Sequence, residues 1–170
     1  MSEKDFTRLY DTYADALFRF CAFKVSDKEQ AKDLLSDTFV RAWEYVRKGG
    51  AVENEKAFLY KIASNLIIDY RRKKKTLSLD ALTEEGFDVS TDEHLRLEEI
   101  IDARQAVQAL DKIPEQYRDA LFMRFIQELG PKEIAEVLGV SENVVSVRIN
   151  RGLEKVRALF ATNQSVVKDS

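Results

Sequence analysis

The sequence predicts an all-α fold of two small helical domains joined by an acidic linker, the second containing a helix-turn-helix. Three observations predict it. Apolar residues recur at steps of three and four along most of the chain, the spacing of one buried helix face. Turn chemistry is scarce, with 6 Gly and 2 Pro among 170 residues; a many-stranded sandwich or barrel needs more. Charge is segregated. Lys61 to Lys75 holds six basic residues and one acid, Asp69. Thr76 to Glu93 holds six acids (Asp80, Glu84, Glu85, Asp88, Asp92, Glu93) and no base. The net charge of −3 conceals both blocks. Such segregation points to separate electrostatic partners.

Composition narrows the function classes. Hydrophobic residues at 45% can build a core, which excludes a disordered polymer. Cys21 and His94 are the single cysteine and histidine. They exclude an internal disulfide framework, a zinc-finger cluster and most histidine-based catalysis. No cofactor and no metal are expected. No apolar run approaches the ~18 residues of a membrane span. Met1-Ser2-Glu3-Lys4-Asp5 lacks the basic-then-apolar pattern of a secretion signal. A cytoplasmic protein with no direct membrane insertion is expected.

Phe6, Leu9, Tyr10, Tyr13, Leu17, Phe20 and Cys21 mark a first helix that breaks at Val25-Ser26. Ser26-Asp27-Lys28-Glu29 reads as a capping box, with Ser26 as N-cap. The second helix carries Ala31, Leu34, Leu35, Thr38, Phe39, Ala42, Trp43 and Val46, and stops at Gly49-Gly50. A third starts near Asn54, carries Phe58, Ile62, Ala63, Leu66, Ile67 and Tyr70, and runs into Arg71-Arg72-Lys73-Lys74-Lys75. These three helices form the expected first domain, residues 1–75.

Residues 76–93 read as the acidic linker. Residues 94–162 form the expected second domain and 163–170 a tail. Ser90-Thr91-Asp92-Glu93 again has capping-box spacing, before Leu97, Ile100, Ile101, Arg104, Val107 and Leu110. Pro114 sits where a helix can start, with Tyr117, Leu121, Phe122 and Phe125 as its inner face.

The strongest local signal lies between Pro131 and Arg157. Pro131 to Leu138 reads as a short helix and Gly139 as the turn that tolerates positive φ. Val140 plugs the core, Ser141 caps the next helix, and Val145 and Ile149 face inward. This is a helix-turn-helix, whose second helix lies in the DNA major groove. Arg and Asn can read base edges, and Lys and Arg can hold phosphates.

Longer stretches resemble one family. Asp33-Leu34-Leu35-Ser36-Asp37-Thr38-Phe39-Val40-Arg41-Ala42-Trp43 resembles the polymerase-binding helix of bacterial sigma factors. Phe58 to Arg72 resembles the promoter-melting helix that follows it. Ile113 to Arg118, and Glu133 to Arg151, resemble the C-terminal promoter-reading domain. With only these two domains, the chain resembles the extracytoplasmic-function group.

The resemblance implies a set of contacts. Asp33, Ser36, Asp37 and Phe39 would meet the β′ clamp helices of core RNA polymerase. Residues 47–56 match the loop that captures a flipped base of the −10 element, with Gly49 and Gly50 giving it freedom. Lys61, Asn65, Arg71, Arg72, Lys73 and Lys74 would hold the −10 DNA, with Phe58, Tyr60 and Tyr70 as candidate aromatics. Ser141, Glu142, Asn143, Ser146, Arg148 and Arg151 would face the duplex −35 element. The acidic linker would enter basic polymerase channels. An anti-sigma factor is a further partner the family implies. A stand-alone helix-turn-helix regulator would account for Pro131–Arg157 but not for Asp33–Trp43 or the linker. An enzyme finds no paired nucleophile and base, no phosphate-binding glycine loop and no metal cluster.

Overall fold

The computed structural model describes residues 2–77 and 105–168. All regular structure among them is helical. The chain divides into two compact units, residues 1–88 and 89–170. The expected linker from residue 78 onward, His94, and the apolar positions from Leu97 to Arg104 lie outside the described residues.

The first unit is a bundle of three long helices: α1 (Glu3–Val25), α2 (Lys28–Arg47) and α3 (Glu55–Leu77). Ser2 opens α1 through a capping box with Asp5, whose carboxylate accepts from the Ser2 N–H at 2.8 Å. That bond holds the Asp5 carboxyl below its ordinary pKa. Leu9, Leu17, Phe20, Cys21, Ala31, Leu34, Phe39, Ala63, Leu66 and Ile67 fill the space between the helices. Each comes from the three-and-four spacing of its own helix.

The α1–α2 corner corrects one expectation. Ser26 is not the N-cap of α2. It takes the left-handed conformation (φ 58°) that closes α1, donating its N–H to the Ala22 carbonyl. Asp27 caps α2 instead, accepting from the Glu29 and Gln30 N–H groups. One residue cannot be left-handed for the first task and extended for the second, so the two jobs fall on neighbours.

α2 ends in a Schellman motif. Gly49 is left-handed (φ 87°) and donates to Val46, while Gly50 donates to Tyr45 at 3.0 Å. These two glycines therefore fix the start of the 48–54 segment rather than free it. Asn54 then caps α3, accepting from the Ala57 N–H at 2.9 Å.

The second unit begins, among the described residues, with helical residues 105–111 (α4). α5 (Glu115–Leu121), α6 (Pro131–Leu138) and α7 (Glu142–Lys168) follow. Pro114 stands just before α5 and Pro131 at the first position of α6, as expected. Ala109, Leu110, Ile113, Leu121, Phe122, Met123, Leu129, Ile134, Val137 and Val145 form the core.

A π-turn at Phe122–Ile126 extends α5. Gln127 donates to the Phe122 carbonyl, five residues back. The wider turn breaks the 3.6-residue period, so Phe125, expected inside, is 57% exposed. Met123 and Leu129 are buried in its stead.

Gly152 sits within α7 where α7 crosses α5. A β-carbon there would lie 2.9 Å from Leu121 Cδ1 and 3.3 Å from Tyr117 Cβ. Overpacking of this kind costs about 1–3 kcal/mol. Ala offsets about 1 kcal/mol of that through better helix propensity. Gly152→Ala is expected to lower stability by roughly 1 kcal/mol, measured by thermal melting. A raised melting temperature would show that α7 yields without strain.

Candidate nucleic-acid and polymerase interfaces

Three surfaces carry the candidate residues. The first is the outer stripe of α2. Asp33, Ser36, Asp37 and Val40 are exposed at steps of three and four. Val40 is 55% exposed, an apolar side chain one turn beyond Asp37 and two beyond Asp33. Its exposure follows from its spacing relative to Asp33 and Ser36. Phe39 does not belong to this surface. It is 5% exposed, with its ring 6.0 Å from that of Phe6 and 4.8 Å from that of Tyr10. Position 39 continues the buried line Ala31-Leu34-Thr38-Ala42, and Thr38 satisfies its hydroxyl on the Leu34 carbonyl at 2.7 Å. Helical periodicity placed Phe39 correctly; the family resemblance did not.

The second surface is the outer face of α3. At about 100° per residue, Lys61, Asn65, Ile68, Arg72 and Lys75 fall within roughly 80° of one another. Asn65, Ile68, Arg72 and Lys75 are exposed, and Lys61 is half-buried. The face therefore offers an amide, an apolar side chain and several cations together. α3 stays helical to Leu77, so its basic run winds around the axis. Lys73 and Lys74 lie off the stripe, about 120° and 140° from Lys61 on opposite sides of it.

Arg71 has a different task. Its guanidinium donates to the Lys24 carbonyl, one of the carbonyls in the last turn of α1. Such carbonyls lack helical partners, and a cation there also suits the helix dipole. Arg71 is half-buried and ties α3 to the end of α1, a structural task that its place in the basic run did not announce. Tyr60 is likewise removed as a stacking candidate. It is fully buried, its ring 5.2 Å from Phe20, and desolvation raises its phenol pKa. Phe58 and Tyr70 are half-buried.

The third surface is the helix-turn-helix. Gly139 makes the turn at φ 67°, and Val140 donates back to the Ala135 carbonyl at 3.1 Å. Glu133 steadies the entry to α6 by accepting from the Gly130 N–H at 2.7 Å. The Ser141 hydroxyl accepts from the Val144 N–H at 3.3 Å, so it caps α7 as expected. Val145 anchors α7 at 0% exposure.

Around that anchor the six expected −35 residues do not share one face. A groove of about 370 Å³ gathers Asn143, Arg148 and Arg151 with Val144, Val147, Gln116 and Tyr117. Glu142 and Ser146 are exposed but do not line that groove. The Lys155 ammonium stands 5.6 Å from the centre of the Tyr117 ring, extending the cationic side of the groove. Val144 and Val147, exposed at 38% and 46%, were missed by sequence reasoning. Their signal is spacing: both sit off the Val145–Gly152 line that packs on the core. Apolar side chains on such a helix can meet thymine methyl groups.

Among the described residues no His, Cys, Asp and Glu group could hold a metal ion. Cys21 is fully buried, and desolvation pushes its thiol up to about 12, so it stays protonated at neutral pH. No helix of the described residues is long and apolar enough to cross a membrane.

Comparison with known proteins matches both units. Sigma-70 region 2 matches residues 9–76, and Sigma-70, region 4 matches residues 103–156. The ECF RNA polymerase sigma factor SigX of Bacillus subtilis (strain 168) is 32% identical over 161 residues, spanning 91% of this chain and 83% of that protein. SigW of the same organism is 28% identical, spanning 89% and 87%. Among solved structures, the sigma factor RpoE of Bartonella quintana, in complex with the anti-sigma factor NepR, superposes with a TM-score of 0.78. It shares 22% identity, over 93% of this chain and 98% of that one. CnrH, in complex with the cytosolic domain of CnrY, superposes at 0.68 with 22% identity, over 95% and 90%. These two likenesses establish the shared fold.

Proposed function

Because the chain belongs to the extracytoplasmic-function sigma factors, which direct promoter-specific transcription initiation, we propose how its surfaces divide that work. The outer stripe of α2, Asp33, Ser36, Asp37 and Val40, docks on the β′ clamp helices of core polymerase. The outer face of α3, Lys61, Asn65, Arg72 and Lys75, holds the −10 strand once it opens. The groove face of α7, Asn143, Arg148 and Arg151, reads the −35 duplex. The expected limit at 75 falls within α3, which runs to Leu77, and the expected limit at 162 within α7, which runs to Lys168; the proposed domains extend to those helix ends, with an acidic linker between them.

The observation that carries the reading is the separation of side-chain chemistry within the first unit. α2 shows acids and a valine outward, whereas α3 shows an amide and cations. Acids repel phosphate and suit a basic protein surface, and cations do the reverse. A stand-alone duplex-binding regulator has no use for the α2 stripe. In this reading the chain works in the cytoplasm and carries no catalysis of its own. The polymerase supplies the chemistry. An anti-sigma factor is a further proposed partner, in keeping with the complex of RpoE with the anti-sigma factor NepR.

The direct test is transcription in vitro from the source genome's DNA, with cognate core polymerase and with or without this chain. Discrete starts that need both components are expected. Duplex binding by the chain alone, with no new starts, would favour the stand-alone regulator. A sharper test addresses α2. Asp37 is exposed, so Asp37→Lys should change stability by no more than about 0.5 kcal/mol. Its affinity for core should fall about ten-fold, equivalent to ~1.4 kcal/mol. Unchanged affinity would remove Asp37 from the interface.

A further inference from the structure

The segment after α2 is built around one side chain. Tyr45 is 45% exposed, unusual for a tyrosine with so many close partners. Its backbone carbonyl accepts the Gly50 N–H at 3.0 Å. Its hydroxyl donates to the Ala51 carbonyl at 3.4 Å. Its ring lies 5.0 Å from that of Phe58 on α3, tilted by 44°. The Gly50 backbone lies directly against the ring. A β-carbon on Gly50 would come within 2.2 Å of Cε1, 2.4 Å of Cδ1 and 2.5 Å of Cζ. No side chain fits there while the ring stays in place. By contrast, a β-carbon on Gly49 would meet nothing within 4 Å, so Gly49 serves only its positive φ.

From this geometry we infer that Tyr45 is a positioning residue for −10 recognition: its ring, backed by Phe58, is the former on which residues 49–51 are wound. Gly50 is glycine so that the backbone can close onto that ring. The inference rests on the reading of residues 47–56 as the segment that captures a −10 base. Selective capture of an unpaired base needs the receiving backbone preset, because a loose loop must be ordered at each binding event. Schellman closure at one end, the Asn54 cap at the other and the tyrosine ring between them leave this short segment few alternatives.

The test uses the full chain in holoenzyme with core polymerase. Its template is a promoter found by start mapping with the unsubstituted chain. Each −10 base and each −35 base is changed in turn, and open-complex formation is measured. A well-read base discriminates by about ten-fold or more. Gly50→Ala is expected to collapse discrimination at one or two −10 bases. Discrimination across the −35 element should stay intact, as should affinity for core. Tyr45→Ala should give the same pattern, and Tyr45→Phe should recover most of what Tyr45→Ala loses, because the ring remains.

The decisive variant is the double substitution. If Gly50→Ala acts by expelling the ring, it adds no further loss in a Tyr45→Ala background. A full additional loss there would overturn the inference. So would equal loss at both promoter elements, which would mean a general folding defect. If the unsubstituted chain shows no −10 discrimination while still driving core-dependent starts, the reading of the loop falls first. That outcome is distinguishable from a failure confined to Tyr45 and Gly50.

Discussion

Phe39→Ala is expected to destabilise the first unit by about 3–5 kcal/mol, the usual result of emptying an aromatic site in a core. Its ring packs against Phe6 and Tyr10 of α1, and only 5% of the residue meets solvent. Removing it leaves Phe6 with Trp43, whose ring is 4.8 Å away, but leaves Tyr10 without its close partner on α2. Thermal melting and polymerase affinity, measured on the same preparation, separate two roles. A core role lowers the melting temperature and leaves affinity unchanged per folded molecule. Lost affinity with an unchanged melting temperature would return Phe39 to the docking surface. Phe39→Leu should retain most of the stability, because it conserves much of the buried volume.

Converting Arg72, Lys73, Lys74 and Lys75 to Gln is expected to suppress open-complex formation while leaving core affinity intact. Each phosphate contact that is lost should reduce the salt slope of binding by ~0.7 for single strands or ~0.9 for duplex. The four positions are not equivalent. Arg72 and Lys75 share the face of Lys61 and Asn65, whereas Lys74 turns away from it. Arg72→Gln or Lys75→Gln alone should therefore cost more of the slope than Lys74→Gln does. Permanganate reactivity of unpaired thymines, measured over a range of salt, reads this directly. Equal loss from Lys74→Gln would mean that DNA wraps around α3 rather than lying along one side. Arg71→Gln belongs to another class: it should lower stability with little change in slope, because its guanidinium serves a carbonyl of α1.

Most of the fold was legible in the sequence because helices announce themselves by spacing. Leu9, Leu17, Ala31, Leu34, Ala63 and Val145 are all buried where the three-and-four pattern puts them. What could not be read depends on non-local or off-period geometry. The π-turn that turns Phe125 outward inserts a residue that no 3.6-residue template contains. The pairing of Arg71 with Lys24 joins residues 47 apart, and nothing in a basic run marks one member for such a task. Ser26 carries an N-cap side chain, and only the backbone shows that it closes the preceding helix. The site residues divide in the same way. Asp33, Ser36 and Asp37 are exposed together, as periodicity requires. The grouping of Arg148 and Arg151 with Gln116 and Tyr117 needs the packing of α5 on α7 and is invisible from either helix alone.

Gly152 gives that packing a wider meaning. Arg151 precedes it, Arg148 lies one turn earlier, and all three belong to the helix that presses on Leu121 and Tyr117. The spacing between α5 and α7 is gauged by a single hydrogen atom. Unless the Leu121 side chain gives way, a larger group at that point pushes α7 outward or rolls it about its long axis. Either displacement changes the gauge of the groove and the reach of both guanidinium groups towards a base pair. In the proposed reading, the calibration of −35 recognition is thus set from behind, by a buried position.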